Sequence, residues 1–229
     1  MPIKIPEGLP AQKILEDEGV RIIKQQRAIR QDIRPLRIAI VNLMPEKIKT
    51  ETQLARVLGS SPLQVEMTLI SMATHTSKNT SAQHLIDFYR PLDDLRKTKF
   101  DGLVITGAPV EQLPFESVTY WDELCEIFDW SVTNTHSNFC LCWGGQAALS
   151  HFYGIPKYEL PEKRFGIYNH QILDQTSLLM RGLDDEIAIP VSRYTETRKE
   201  DLVKFDHLQV LIDSEESGIC MVLDHRLQH

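Results

Sequence analysis

No apolar run in the 229 residues approaches the length of a membrane-spanning helix. The opening, Met1-Pro-Ile-Lys-Ile-Pro-Glu-Gly8, lacks the basic flank and apolar core of a secretion signal. The expectation is a cytoplasmic protein with no membrane role. Positive charge is in deficit: 25 Lys and Arg stand against 32 Asp and Glu, a net charge of −7 spread along the chain. That argues against nucleic acid as a partner, which calls for a basic patch. Cysteine is scarce. The four residues Cys125, Cys140, Cys142 and Cys220 form no two pairs with zinc-site spacing, so no bound metal is expected. Cys140 and Cys142 read as neighbours on one face of a strand, too close for an ordinary disulfide. This pattern suits a reducing compartment and at least one working thiol. Internal repeats and low-complexity segments are missing too. What is left is an ordinary soluble composition, 42% hydrophobic, in a chain long enough for a sizeable core.

Hydrophobic patterning predicts alternating strands and helices. Residues 1–35 read as an N-terminal arm, with a short helix over Ala11–Gly19 and a polar, basic stretch over Gln25–Arg34. The arm is expected to pack on the core or against a second subunit of a homodimer. Residues 36–229 read as a single α/β catalytic domain. Strands are predicted at Leu36–Val41, Val65–Ile70, Phe100–Ile105 and Thr133–Leu141. Between them fall helices at Lys47–Leu58 (Ile48, Leu54 and Val57 facing the core), Ala82–Tyr89 and Tyr120–Ser131. That alternation predicts a mostly parallel sheet with helices on both faces, a three-layer flavodoxin-like arrangement. Gly154–Lys163 reads as irregular and Arg164–Ile172 as an edge strand or hairpin arm. Further strands are predicted near Ile187–Ser192, and as a late pair at Leu208–Ile212 and Gly218–Leu223.

The stretch richest in chemistry is Asn138–Tyr153. An apolar run reaches Cys142, Trp143 and two glycines follow, and then a helical segment begins. Strand, sharp turn and helix are the signature of a nucleophile elbow, here with cysteine in the nucleophile position. The turn exposes the side chain. The amides at the start of the helix favour a thiolate, the reactive form. In a parallel α/β sheet, ligands bind at the carboxyl ends of the strands. Four segments fall there: Asn42–Glu46, the loop around His75, Gly107–Glu111 and Cys142 itself. Backbone amides near Gly107 and at Trp143 are candidates for an oxyanion hole. Lys163, Arg164, Ser192 and Arg193 lie in segments suited to a carboxylate-bearing substrate, such as an amino acid. A cysteine nucleophile also needs a base. The histidines are His75, His84, His136, His151, His170, His207, His225 and His229, and no local motif chooses among them.

Several segments together resemble the homoserine O-succinyltransferase (homoserine transsuccinylase) family, and more closely its acetyl-transferring members. They are Pro2-Ile-Lys-Ile-Pro6, Arg37–Pro45, Thr50–Leu54, Thr106-Gly-Ala-Pro109, Tyr120-Trp121, Cys142-Trp143, Gln146-Ala147, Tyr153-Gly-Ile-Pro156 and Ser192-Arg-Tyr194. The resemblance spans essentially the whole chain. It implies a class I glutamine-amidotransferase-type fold. The implied reaction is acyl transfer from an acyl-coenzyme A to the hydroxyl of a small amino acid, with acetyl-coenzyme A as co-substrate and no permanently bound cofactor. By the same resemblance Cys142 is the acyl-thioester nucleophile, and Lys163 and Ser192 contact the amino acid. Position 111 sorts the donor: Gly goes with succinyl and Glu with acetyl. This chain has Glu111. L-homoserine, for methionine synthesis, and L-serine, for cysteine synthesis, both stay open as acceptors.

The chain also departs from the family pattern. The family's base is a histidine in a Gly/Asn-His-x-Glu-Tyr-Asp type segment, with a glutamate two residues on, and Asp224-His-Arg-Leu-Gln-His229 does not match it. The resemblance implies that this histidine, its glutamate and a substrate-binding arginine lie beyond residue 229, the chain being short of its C-terminal part. Gly145, Phe139–Leu141 and Asn169 also differ from common members.

Overall fold

The computed structural model describes residues 3–20, 22–23, 34–74 and 79–226. The chain forms two compact units. One comprises residues 1–109 and 115–145, the other residues 110–114 and 146–229.

The first unit is built on a parallel sheet of seven strands among the described residues. These are β1 (Ile3–Lys4), β2 (Ile22–Ile23), β3 (Leu36–Val41), β4 (Val65–Ser71), β5 (Tyr89–Pro91), β6 (Phe100–Ile105) and β7 (Thr135–Cys140). The spatial order is β2-β1-β4-β3-β6-β7, with β5 also on β4. Each neighbouring pair is parallel, so the chain must cross back over the sheet between strands, and in the connections whose residues are described helices do this. They are α1 (Ala11–Asp17), α2 (Lys47–Gly59), α3 (Ala82–Phe88), α4 (Leu92–Leu95) and α5 (Trp121–Asn134). The β-branched and leucine-rich strands are buried on both sides, as the sequence pattern predicts: Ile40, Leu69, Leu103 and Ile105 are each at most 1% exposed. From α5, Leu124, Ile127 and Phe128 complete that core, the three-residue and four-residue spacing of a single helical face.

Residues 3–20 and 22–23, within the stretch 1–35 expected as an arm, are part of this unit. Ile3 and Lys4 pair with both β2 and β4, and Ile3, Ile5, Leu9 and Leu15 are buried in the same cluster as Ile40 and Met67. Two-residue strands leave almost no periodic signal, which is why the sequence reading missed them. The basic stretch Gln25–Arg34 lies outside the described residues apart from Arg34, whose guanidinium meets Asp101 at 2.7 Å. In α2 the buried side chains are Glu51, Thr52 and Ala55, while Ile48 and Val57 are exposed. Leu54 packs against the core as expected; in place of Ile48 and Val57 the fold buries a glutamate that has partners.

The second unit is where the expected parallel architecture stops. Its sheet is antiparallel, β11-β10-β8-β9, from β8 (Tyr158–Ile172), β9 (Glu186–Glu196), β10 (Leu208–Asp213) and β11 (Met221–Asp224). The connection from β8 to β9 holds a single 3₁₀ turn at Leu178–Met180 and no crossover helix, so the strands return antiparallel. Two clusters fill it: Ile155, Leu202, Leu208 and Ile219, and Ile172, Met180, Leu211 and Ile212. A short helix, α7 (Lys199–Leu202), supplies Leu202 to the first. The elbow helix, α6 (Trp143–Tyr153), begins in the first unit and continues into the second. It ends at Gly154, whose φ of 65° is left-handed and whose N–H returns to Ser150 O at 2.8 Å.

Candidate active site

The elbow forms because β7 stops at Cys140 and the chain turns at once into α6. Cys142 lies in that turn with φ of 53°, the one non-glycine residue in the left-handed region among the described residues. It is exposed, and because β7 ends at Cys140 the two thiols do not share a strand face as the spacing predicts. The turn closes through Gly144 N–H to Leu141 O (2.9 Å) and Gly145 N–H to Cys142 O (3.0 Å). Space for a side chain runs short twice beside it. A Cβ on Gly144 would sit 2.7 Å from Thr106 O, and one on Gly107 would sit 3.1 Å from Cys142 Cβ. Gly107 thus brings its backbone directly against the nucleophile, at the end of β6. Thr106 fixes that loop: its N–H donates to Val41 O at 3.1 Å, and its hydroxyl oxygen accepts from Leu43 N–H at 2.8 Å.

Trp143, the first residue of the helix, is completely buried. Its ring packs against Phe115 (5.8 Å between centroids) and edge-on to Tyr120 (6.3 Å). This aromatic packing holds the start of α6, and hence the Trp143 amide, in place. Burial pushes the Tyr120 phenol up to about 12. Burial pushes the Cys140 thiol up to about 12 and the Cys125 thiol up to about 11, and raises that of Cys220 as well.

At the carboxyl end of β3, the structure shows a polar network that the sequence reading left unremarked. Glu51 is completely buried and accepts from His84 Nε2 at 3.0 Å and from the Tyr89 hydroxyl at 2.5 Å. Asn42 Nδ2 donates to Tyr89 Oη (3.1 Å) and to Lys47 O (3.2 Å), and Lys47 Nζ donates back to Asn42 O. Burial lowers the Lys47 ammonium to about 8, with the Glu51 charge opposing the shift. The usable signal was the spacing Lys47-x-x-x-Glu51, one helical turn, so that both face the same side of α2.

The second unit gathers another group of the predicted residues around Tyr194. Strands β8 and β9 pair in register from Arg164↔Arg193 to Gln171↔Glu186, and again at Glu159↔Thr195 and Tyr158↔Glu196. Between these two stretches, Leu160-Pro-Glu-Lys163 bulges out opposite Tyr194 alone. Tyr194 N–H is therefore released from the ladder and donates to Glu111 Oε2 at 2.8 Å. Lys163, in the bulge, holds its Nζ 5.2 Å from the Tyr194 ring centroid and 5.5 Å from that of Phe165. Ser192 pairs with Phe165 and is exposed. Arg193 points elsewhere: its guanidinium donates to Ile219 O (2.9 Å) and to Ser217 O, and Arg164 joins it on Ser217 O at 3.1 Å. Both arginines hold the turn between β10 and β11.

The histidines are spread through the fold. His84 is tied to Glu51; His170 is buried between Ser217 Oγ and Tyr168 O, each at 2.9 Å; His225 faces Gln209 at 2.8 Å. His207 packs its ring on Tyr153 and Phe205, and His136 is exposed on β7. His75 and His229 lie outside the described residues. Among the described residues, no group of three or more His, Cys, Asp or Glu is placed to hold a metal ion, and no helix is long and apolar enough to cross a membrane.

A cysteine on a strand–turn–helix elbow, at the end of a parallel sheet, places the chain in the class I glutamine-amidotransferase type of α/β fold. Solved structures bear this out at the level of fold. A glutamine amidotransferase from Thermotoga maritima superposes with a TM-score of 0.59 at 10% identity, over 84% of this chain and 73% of that one. The glutaminase domain of CTPS from Trypanosoma brucei superposes at 0.52 and 13% identity, over 82% of this chain and 79% of that one. Sequence comparison is more specific. The family model for homoserine O-succinyltransferase matches residues 2–229. A homoserine O-acetyltransferase from Hyphomonas neptunium is 54% identical over 98% of this chain and 73% of its own length. One from Brucella canis is 52% identical over all of this chain and 76% of its own length. The chain belongs to the homoserine O-succinyltransferase family, whose members are homoserine O-acyltransferases.

Proposed function

We propose that this protein transfers an acetyl group from acetyl-coenzyme A to the hydroxyl of L-homoserine, through a thioester on Cys142, as a cytoplasmic step of methionine synthesis. The observation that carries this reading is Cys142 itself, exposed at φ 53° on the elbow with Gly107 against it and the α6 N-terminus behind it. Support for the donor comes from Glu111 and from relatives that carry the name homoserine O-acetyltransferase.

The chemistry runs in two halves. The Cys142 thiolate attacks the thioester carbonyl of acetyl-coenzyme A. The negative charge that forms on the carbonyl oxygen is met by backbone amides near Gly107 and at Trp143. Collapse breaks the bond to coenzyme A, which leaves as its thiolate, and the acetyl group stays on Cys142. The homoserine hydroxyl then attacks that acyl group while a general base takes its proton. The bond to Cys142 breaks, the thiolate returns and O-acetylhomoserine departs. Lys163 holds the carboxylate of the amino acid, with Ser192 on the paired strand contributing to the acceptor side, while Arg193 stays committed to the turn at Ser217. Glu111 favours acetyl because its charge repels the second carboxylate of a succinyl donor. The partners in this reading are small molecules and a second copy of the chain in a homodimer.

The test is mass spectrometry of the full-length protein given acetyl-coenzyme A and no acceptor. The expected result is one acetyl group on the peptide containing Cys142, discharged by homoserine faster than by serine, and absent from Cys142→Ala. Label on another residue, or preferential discharge by serine, overturns the assignment.

A further inference from the structure

We infer that Lys157 is a positioning residue for donor choice: it holds the backbone of Glu111 so that the Glu111 carboxylate stays where it can discriminate between acyl groups. The inference rests on the role proposed above for Glu111, and goes beyond it by naming what keeps that side chain in place.

Residues 110–114 are a short excursion. The chain on either side of them belongs to the first unit, while these five residues belong to the second. Within the second unit Glu111 is held at two points. Its carboxylate accepts from Tyr194 N–H at 2.8 Å, and its carbonyl oxygen accepts from Lys157 Nζ. The first bond exists because the bulge at 160–163 leaves the Tyr194 amide without a strand partner. It fixes the end of a flexible side chain. The second fixes the backbone from which that side chain grows.

Lys157 is well built for this task. The left-handed Gly154 stops α6, Ile155 is buried at 3% exposure among Leu202, Leu208 and Ile219, and Pro156 restricts the next φ. Tyr158 then enters β8 and pairs with Glu196. Lys157 therefore stands on a rigid step between a buried anchor and a strand, and is itself partly buried. A surface lysine on a mobile loop could not transmit position in this way.

The consequence follows from electrostatics. Repulsion between the Glu111 carboxylate and a second carboxylate on the donor falls with their separation, and faster where water fills the gap. With the backbone bond gone, Glu111 keeps one anchor. Its carboxylate then samples positions from which a succinyl group is tolerated. Selectivity falls even though the side chain that repels is still present.

The experiment measures kcat/KM of the full-length protein with acetyl-coenzyme A and with succinyl-coenzyme A, for wild type, Lys157→Met, Lys157→Arg, Glu111→Gly and the double variant Lys157→Met/Glu111→Gly. The expected result is an acetyl-to-succinyl ratio lowered about tenfold in Lys157→Met, since small displacements of a positioned group carry effects of that size. Lys157→Arg, which still donates, restores most of the ratio. The double variant matches Glu111→Gly, because the two changes act through one carboxylate. A merely structural lysine lowers both donors alike, so an unchanged ratio in Lys157→Met beside a shifted ratio in Glu111→Gly overturns the inference alone. An unchanged ratio in Glu111→Gly removes the reading of Glu111 on which it rests.

Discussion

Cys142 holds a left-handed φ of 53° that most side chains avoid, at a cost of about 1 kcal/mol or more. The neighbouring backbone bonds impose it, and the return is a thiol raised off the sheet beside the first amides of a helix. Lys47 is a second residue placed against its own preference. Its burial lowers the ammonium from 10.5 to about 8, so above pH 8 the folded protein has released a proton that the unfolded chain still binds. Stability from this residue is therefore smallest below pH 8 and rises as pH climbs from about 8 towards 10.5, by about 3 kcal/mol at most. Lys47→Met removes that dependence. The difference in urea-unfolding free energy between Lys47→Met and wild type is expected to favour the variant at pH 7 and to shrink by pH 10. A difference that stays constant over that range contradicts the shift. Glu51 could not be found from its residue type, because a glutamate in a helix reads as a surface residue. Only the fold supplies the His84 and Tyr89 that make its burial tolerable.

At the level of elements, the elbow was legible because its signal is local. A strand, a cysteine, two glycines and a helix lie in one stretch, and each is a conformational instruction to its neighbours. The glycines have separate duties. Gly144 faces Thr106 O so closely that any Cβ meets backbone, which cannot yield as a flexible side chain can. Gly144→Ala is expected to lower unfolding free energy by about 1–3 kcal/mol, the usual range for forced overpacking, and to depress acyl transfer by moving Cys142. Calorimetry and initial rates check both; wild-type stability and rate in that variant would falsify the account of the turn. The bulge at 160–163 was not legible. Its residues read as irregular, whereas β8 runs through them from Tyr158 with a shift of register, and the consequence, a freed Tyr194 amide that Glu111 accepts, depends on a partner 83 positions away. The helix α2 is where the pattern predicts it and Leu54 packs on the core, but Ile48 and Val57 are exposed while Glu51, Thr52 and Ala55 are buried.

Taken as a whole molecule, the chain divides its predicted residues between two units. Cys142, Trp143 and Gly107 belong to the first, and Glu111, Lys163, Ser192 and Arg193 to the second. In the proposed two-half reaction the acyl group is captured on Cys142 before the acceptor is acylated. It follows that coenzyme A leaves before homoserine reacts. Double-reciprocal plots of initial rate against acetyl-coenzyme A, at several homoserine concentrations, are expected to be parallel. Intersecting lines would show that both substrates bind before either product leaves, and the thioester scheme would fail.

By itself the sequence determined the parallel α/β plan of the first unit, the elbow and the family, because strand periodicity, turn residues and motif spacing act over a few positions. Tertiary structure decided the rest. It drew Ile3 and Ile5 into the sheet and its core, turned the later strands antiparallel and buried Glu51 beside His84. It also committed Arg193 to the turn at Ser217 and set Lys157 and Tyr194 on either side of Glu111. Each of these is a pairing between distant residues, and a hydrogen bond or a buried charge has no meaning until the partner that satisfies it has been brought within reach.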